Sequence, residues 1–93
     1  MIITYKGHKH IHFGKGVCLS IFNGFGSYSE NHYEIEKMNK KIVITNDCEI
    51  AVLRNNEFIT EEVLGGNKVV KGYVTKKELK EIIEKVRIYA KKI

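Results

Sequence analysis

The stretch TKKELKEIIEKVRIYAKKI, residues 75–93, carries the clearest structural pattern in the chain. Its apolar residues recur every three or four positions, which is the spacing of one stripe along a helix. The stripe consists of Leu79, Ile82, Ile83, Val86, Tyr89, Ala90 and Ile93. Thr75 is a suitable N-cap, and Glu78 completes a capping box with it. This pattern predicts a C-terminal amphipathic helix that packs on the rest of the chain.

The segment before this helix, residues 1–74, is predicted to be rich in β-strands. Short apolar or alternating runs at residues 2–6, 8–13 and 16–22 are separated by glycines, as is typical of neighbouring strands. Further runs, KIVIT, EIAVLR, EFITEEVL and KVVKGYV, are joined by Asn46-Asp47, Asn55-Asn56 and Gly65-Gly66-Asn67. Asparagine, aspartate and glycine tolerate the positive φ of tight hairpin turns, so an antiparallel meander is expected from about residue 41 to 74.

Together these patterns predict an α+β fold in one domain of 93 residues. We expect a mainly antiparallel sheet of about six or seven strands, with the C-terminal helix packed across one face.

Residues 27–40 fit two interpretations. Ser27 and Glu30 form an S-x-x-E capping pattern that would start a short helix. Against this, Tyr33, Ile35 and Lys37 alternate with Glu34, Glu36 and Met38, as on a strand. A strand is preferred, and both interpretations stay open.

Composition excludes some classes of protein. Apolar runs are only three or four residues long, whereas a membrane span needs roughly 20. The N-terminus lacks the pattern of a secretory signal, so a cytoplasmic protein is expected. The two cysteines, Cys18 and Cys48, lie in apolar surroundings without metal-knuckle spacing, and this favours buried, unreactive thiols. A disulfide between them would require an oxidising compartment.

Positive charge is concentrated in the predicted helix. The net charge is +5, and residues 76–93 contribute seven basic and three acidic side chains. A solvated helix face is the simplest explanation, and an attraction to nucleic acid or to an acidic protein surface is the alternative. Fourteen of the sixteen basic residues are lysines, which act as point charges, so sequence-specific duplex recognition is disfavoured. The exposed candidates for binding are Lys76, Lys77, Lys80 and Arg87.

Three histidines, His8, His10 and His12, alternate in the stretch KGHKHIHF and would share one face of a strand. This face could bind a metal such as zinc, with His32 as a fourth ligand. In the simpler interpretation the histidines lie on the polar face of the strand. The opposite, core-facing side would then take Ile3, Tyr5, Ile11 and Phe13. A surface that gains positive charge as imidazole protonates is a third interpretation.

The stretch FNGFGSYSENHY, residues 22–33, has the composition of a loop, yet it contains Phe25, Tyr28 and Tyr33. Aromatic side chains on polar loops are common anchors of binding surfaces. They could instead fold back over the edge of the core. Gly24-Phe25-Gly26 lacks the further glycine and the lysine of phosphate-binding loops.

The serines lie in no nucleophile motif, so neither catalysis nor a cofactor is expected. We expect a non-catalytic binding protein that uses Phe25, Tyr28, Tyr33 and the lysine-rich surface. Its small size and basic character are typical of phage or mobile-element accessory proteins that inhibit a host protein or a nucleic-acid-handling complex. Two alternatives stay open: a non-specific RNA or single-stranded DNA-binding protein, and a metal-binding protein or metal-dependent enzyme using His8, His10 and His12. Open strand edges would also allow self-association into a homo-oligomer.

Overall fold

The computed structural model of the protein describes residues 1–33 and 40–93. Along the chain the elements are β1 (Ile2–Tyr5), β2 (His8–Gly14), β3 (Val17–Phe22), β4 (Ile42–Thr45), β5 (Asp47–Arg54), β6 (Glu57–Phe58), α1 (Thr60–Leu64), β7 (Lys71–Thr75) and α2 (Lys76–Lys92). The strands form one antiparallel sheet in the order β4-β1-β2-β3-β5-β6, and β7 also pairs with β5. The predicted α+β fold with an antiparallel sheet and a C-terminal helix is confirmed.

Two-residue turns connect the hairpins, and they use the left-handed backbone that such turns demand. Lys6 and Gly7 join β1 to β2 with φ of 51° and 83°, and Asn55 and Asn56 join β5 to β6 with φ of 52° and 68°. The turn predicted from the two asparagines is therefore confirmed. Gly7 also allows a close approach of the chain to itself, because a Cβ there would lie 2.8 Å from the Cα of Gly24.

Helix α2 begins where the sequence predicts. The Thr75 hydroxyl accepts a hydrogen bond from the backbone N–H of Glu78 at 3.3 Å. Its buried stripe consists of Leu79, Ile82, Val86 and Ala90, with Ile83, Tyr89 and Ile93 partly buried against the same core. The stripe shares one core cluster with alternate residues of the central strands, among them Val17, Leu19, Ile21, Ile50 and Val52. We call this side of the sheet the helix face and the other side the open face.

The pairing in residues 41–74 differs from the predicted meander. Strand β4 pairs with β1 rather than with β5, and β5 pairs with β3, β6 and β7. The predicted strand EFITEEVL pairs only at Glu57–Phe58 and continues as the short helix α1. Two glutamates in the first turn of α1 favour the helix, because carboxylates are stabilised near a helix N-terminus. Residues 68–70 are not part of β7.

The described part of residues 27–40 is neither strand nor helix. Residues 27–33 form bends and turns, and the expected alternation at Ile35 and Lys37 falls on residues 34–39, which lie outside the described residues. The turns are favoured because serine and asparagine side chains there bond to nearby backbone groups.

Strand β1 has the opposite orientation to the predicted one. Ile2 and Thr4 are buried, whereas Ile3 and Tyr5 are exposed. The hydroxyl of Thr4 donates a hydrogen bond to the buried side chain of Asn23. This bond requires the face of β1 that carries Thr4 to point into the protein. In β2 the prediction holds, because Ile11 and Phe13 pack against the core.

Candidate docking site

The loop between β3 and β4 is ordered by small polar side chains that point inward. We call its residues 23–33 the aromatic loop. The hydroxyl of Ser27 donates to the carbonyl of Gly24 at 2.6 Å and lies 2.7 Å from the hydroxyl of Ser29. The amide of Asn31 donates to the carbonyl of Asn23 at 2.9 Å. All four polar residues are buried, so the loop has a polar interior of its own.

Two carboxylates of β5 attach the aromatic loop to the sheet. The side chain of Asp47 accepts from the backbone N–H of Glu30 at 2.8 Å, and that of Glu49 accepts from the N–H of Tyr28 at 3.3 Å. Asp47 and Glu49 alternate with Cys48 and Ile50, which are buried on the helix face. Tyr28 and Glu30 of the aromatic loop therefore lie on the open face, over the first half of β5.

With its polar residues inside, the loop directs its aromatic side chains outward. Tyr33 is 86% exposed, Tyr28 is about half exposed, and Phe25 is 37% exposed. The ring of His32 stacks on Tyr28, with centroids 5.6 Å apart, and meets Tyr33 edge to face at 4.5 Å. His32 is itself held by a 2.9 Å hydrogen-bond contact between its Nδ1 and the carbonyl of Ser27. The structure thus places all three aromatic residues singled out from the sequence at the surface.

A fourth aromatic residue, Tyr73, joins this surface from β7. Its side chain is exposed, and its backbone N–H donates to the carbonyl of Tyr28 at 2.7 Å. Tyr73 has a φ of 52° beside a register shift between β5 and β7. Positive φ is costly for a bulky residue, at about 1–3 kcal/mol, and such strain concentrates at functional sites. We call Phe25, Tyr28, Tyr33 and Tyr73 together the aromatic surface.

Sequence reasoning missed Tyr73, because KVVKGYV has the composition of an ordinary strand. The signal was Gly72, since an isolated glycine within a strand often marks a bulge or a close backbone approach. A Cβ at position 72 would lie 2.6 Å from the Cβ of Tyr28. Only glycine at this position lets the loop and the strand meet.

A groove of about 620 Å³ runs beside Tyr28 and Tyr73. Its remaining walls come from α1, from the segment before β7 and from β7 itself: Glu61, Asn67, Lys68, Val69, Val70 and Gly72. The groove combines two tyrosines with apolar valines and one residue of each charge. Such a composition suits a partner side chain better than a phosphate group.

The predicted cationic residues Lys76, Lys77, Lys80 and Arg87 are all exposed on α2. Because α2 packs on the helix face, it lies on the other side of the sheet from the aromatic loop. Among the described residues, the two ion pairs are Lys71 with Glu78 at 3.8 Å and Arg87 with Glu84. The predicted cations therefore lie on an element that packs on the helix face, whereas Tyr28 is hydrogen-bonded to Glu49 on the open face.

The three alternating histidines lie side by side on the open face, where they are exposed. The ring of His8 stacks on Phe22 at 4.3 Å, and the rings of His10 and His12 are 6.5 Å apart. His32, the suggested fourth ligand, lies in the aromatic loop. Within residues 1–33 and 40–93, no three histidine, cysteine, aspartate or glutamate side chains come together in a metal-binding group.

No family model, curated protein sequence or solved structure matches this chain. Of the helices that the structure describes, neither has the length and apolar character needed to cross a membrane.

Proposed function

We propose that this chain is a non-catalytic binding protein that docks on another protein through the aromatic surface. The observation that carries the proposal is the inverted composition of the aromatic loop. Its small polar residues Ser27, Ser29 and Asn31 are buried, whereas Tyr28 and Tyr33 are exposed. The buried polar residues order the loop, and the exposed aromatic residues are left available for contact with a partner.

The arrangement favours binding because most of the ordering is complete before a partner arrives. Association normally costs about 0.5–1.5 kcal/mol for each flexible side chain that becomes fixed. Here the rings of Tyr28 and Tyr33 already contact the ring of His32, which is hydrogen-bonded to the carbonyl of Ser27. Tyrosine is also enriched among the residues that dominate the binding energy of protein interfaces. The aromatic surface therefore has the chemistry of an interface centre.

A protein partner is favoured over a nucleic acid by the positions of the charges. Single-stranded nucleic acids bind where aromatic rings and cations share one groove. The groove beside Tyr28 and Tyr73 contains Lys68 together with Glu61, and the described residues that line it include no cation of α2. The partner that we propose is a host protein within a nucleic-acid-handling complex, which this chain would inhibit as a phage or mobile-element accessory protein.

This proposal is tested by co-purification from the native host. The double variant Tyr28→Ala/Tyr33→Ala should lose the partner that the wild type retains. Phe58→Ala is the matched control, because Phe58 is a similarly exposed aromatic residue on β6, beside the other end of β5. Retention of the same partner by the double variant would refute the role of the aromatic surface.

Non-specific nucleic-acid binding is a second candidate, and it is favoured by the exposed lysines of α2. None of Lys76, Lys77 and Lys80 takes part in the ion pairs of the described residues. If these lysines contact phosphates, affinity for a single-stranded oligonucleotide should fall linearly with salt on a log-log plot. The triple variant to glutamine should flatten the slope by about two, since each contact with a single-stranded phosphate contributes about 0.7. An absence of binding at low salt would exclude this candidate.

A further inference from the structure

Strands β1 and β4 form a two-stranded ribbon with an exposed apolar face. The side chains of Ile3, Tyr5, Ile42 and Ile44 are between 45% and 58% exposed. They are direct neighbours, because Ile3 pairs with Ile44 and Tyr5 with Ile42. Contiguous apolar patches of this kind mark interaction sites more often than isolated exposed residues do.

The same ribbon ends the sheet at β4, since of the described strands only β1 pairs with it. The backbone N–H of Lys6 donates to the carbonyl of Lys41 at 2.8 Å. Hydrogen-bonded positions recur at every second residue of an antiparallel pair. Val43 and Thr45 therefore also direct their backbone groups toward β1, and Ile42 and Ile44 direct theirs to the outer edge.

We propose that β4 pairs with β4 of a second copy of this chain, which gives a two-fold symmetric dimer with one continuous sheet. With the two-fold axis between the two copies of Val43, Ile42 of each copy lies opposite Ile44 of the other. The outward N–H and C=O groups of these two residues then form four backbone hydrogen bonds between the copies. Val43 faces its own counterpart on the buried side, so each face of the sheet continues unchanged.

The charges around β4 are compatible with this pairing. The strand itself, IVIT, contains no charged residue, proline or bulge, which are the usual features that prevent edge pairing. In the proposed register, Lys41 lies opposite Thr45 and Lys40 opposite Asn46 of the other copy. No like charges oppose one another. In this register each apolar residue of Ile42–Ile44 lies opposite an apolar residue of the other copy, which is the reason to assign a second copy to this edge.

The dimer is tested by sedimentation equilibrium of the full chain across a wide concentration range. Wild type should show a monomer–dimer equilibrium, and Ile44→Pro should weaken dimerisation by roughly tenfold or more. Proline removes the outward N–H of residue 44 in both copies, yet it is tolerated at the free edge of a strand. Circular dichroism and thermal unfolding show whether Ile44→Pro still folds, and Ile44→Lys is the second variant if it does not.

Two controls separate edge pairing from other contacts. Ile3→Ser removes an apolar side chain of the same patch but leaves the edge of β4 intact, so the dimer should persist. Tyr28→Ala/Tyr33→Ala should also remain dimeric, because the aromatic surface is not involved. A wild type that is monomeric at every concentration would overturn the proposal, as would a folded Ile44→Pro variant that dimerises as well as wild type.

Discussion

The side chain and backbone of Asn23 hold together β1, β4 and the turn between β1 and β2. Its side chain is fully buried, accepts from the hydroxyl of Thr4, and donates to the carbonyl of Ile2 at 3.3 Å and to the hydroxyl of Thr45 at 3.0 Å. Its backbone N–H donates to the carbonyl of Gly7 at 2.9 Å. One side-chain amide thus bonds both β1 and β4 to the first residue of the aromatic loop. The position of the loop therefore depends on these two strands.

Replacing Asn23 should therefore be costly. In Asn23→Ala the hydroxyl of Thr4 and the carbonyl of Ile2 lose a buried partner, whereas Thr45 keeps its hydrogen bond to the carbonyl of Asp47. Each unsatisfied group costs about 1–3 kcal/mol. We expect a loss of about 2–3 kcal/mol in the free energy of unfolding, measured by urea denaturation. Asn67→Ala, at an exposed loop position, should change it by less than about 0.5 kcal/mol. Equal effects of the two substitutions would contradict the role of Asn23.

The two cysteines differ in their burial. Cys48 is fully buried on the helix face, whereas Cys18 lies on the open face opposite His12 and is partly exposed. Both are free thiols, as expected from the sequence, and their placement on opposite faces of the sheet disfavours a disulfide. Burial raises the pKa of the Cys48 thiol to about 12, with smaller contributions from the carboxylates of Asp47, Glu49 and Glu78.

This raised pKa makes stability depend on alkaline pH. In the unfolded chain the thiol ionises near pH 8.5, whereas in the folded protein it stays protonated up to about pH 12. The contribution of Cys48 to stability is therefore complete below about pH 8.5 and is lost as the pH rises toward 12. Over the first part of this range, wild type should lose up to about 1.4 kcal/mol per pH unit more than Cys48→Ala. If the curves of unfolding free energy against pH were parallel for wild type and Cys48→Ala, the raised pKa of Cys48 would be contradicted.

At the scale of elements, helix α2 supplies one wall of the core. Leu79, Ile82 and Val86 are buried against the sheet, and each contributes about 1.5–3 kcal/mol of burial. Their sum is comparable to the net stability of a whole domain, about 5–15 kcal/mol. The helix is therefore required for folding rather than added to a stable sheet.

A chain truncated after Val74 should show no cooperative thermal transition by circular dichroism. Truncation after Ala90 is the control, because it retains the whole buried stripe and removes only the partly buried Ile93 from the core. The shorter deletion should lower the melting temperature and leave the transition cooperative. A cooperative transition in the chain that ends at Val74 would show that the sheet folds alone.

The elements that could be predicted are those whose signals are local. The stripe of α2 and the glycines around β1, β2 and β3 lie within short windows, and the structure confirms these elements. The partner of β4 was not predictable, because its pairing with β1 joins segments far apart in the sequence. The composition of EFITEEVL fits a strand and a helix equally well. Its conformation depends on hydrogen bonds of the buried Thr60 to Val52 and Val69, which lie outside this segment and could not be predicted from its sequence.

At the scale of the whole molecule, the sheet separates two surfaces with different chemistry. Tyr28 and Glu30 of the aromatic loop lie on the open face, and α2, which carries the exposed lysines, packs on the helix face. The exposure of Tyr28 and Tyr33 follows from the composition of their loop, so this half of the candidate site was predictable. The contribution of Tyr73 was not, because it depends on the approach of Gly72 to Tyr28. If the proposed dimer forms, each assembly presents two copies of the aromatic surface.

Site-specific photocrosslinking in the native host tests the docking role of the aromatic surface most directly. We would replace Tyr33, the most exposed of its aromatic residues, with p-benzoylphenylalanine, and make the same replacement at Phe58 as the control. Docking through the aromatic surface predicts a discrete covalent adduct with a host protein from position 33 and none from position 58. Adducts from position 58 alone, or equal adducts from both positions, would contradict it.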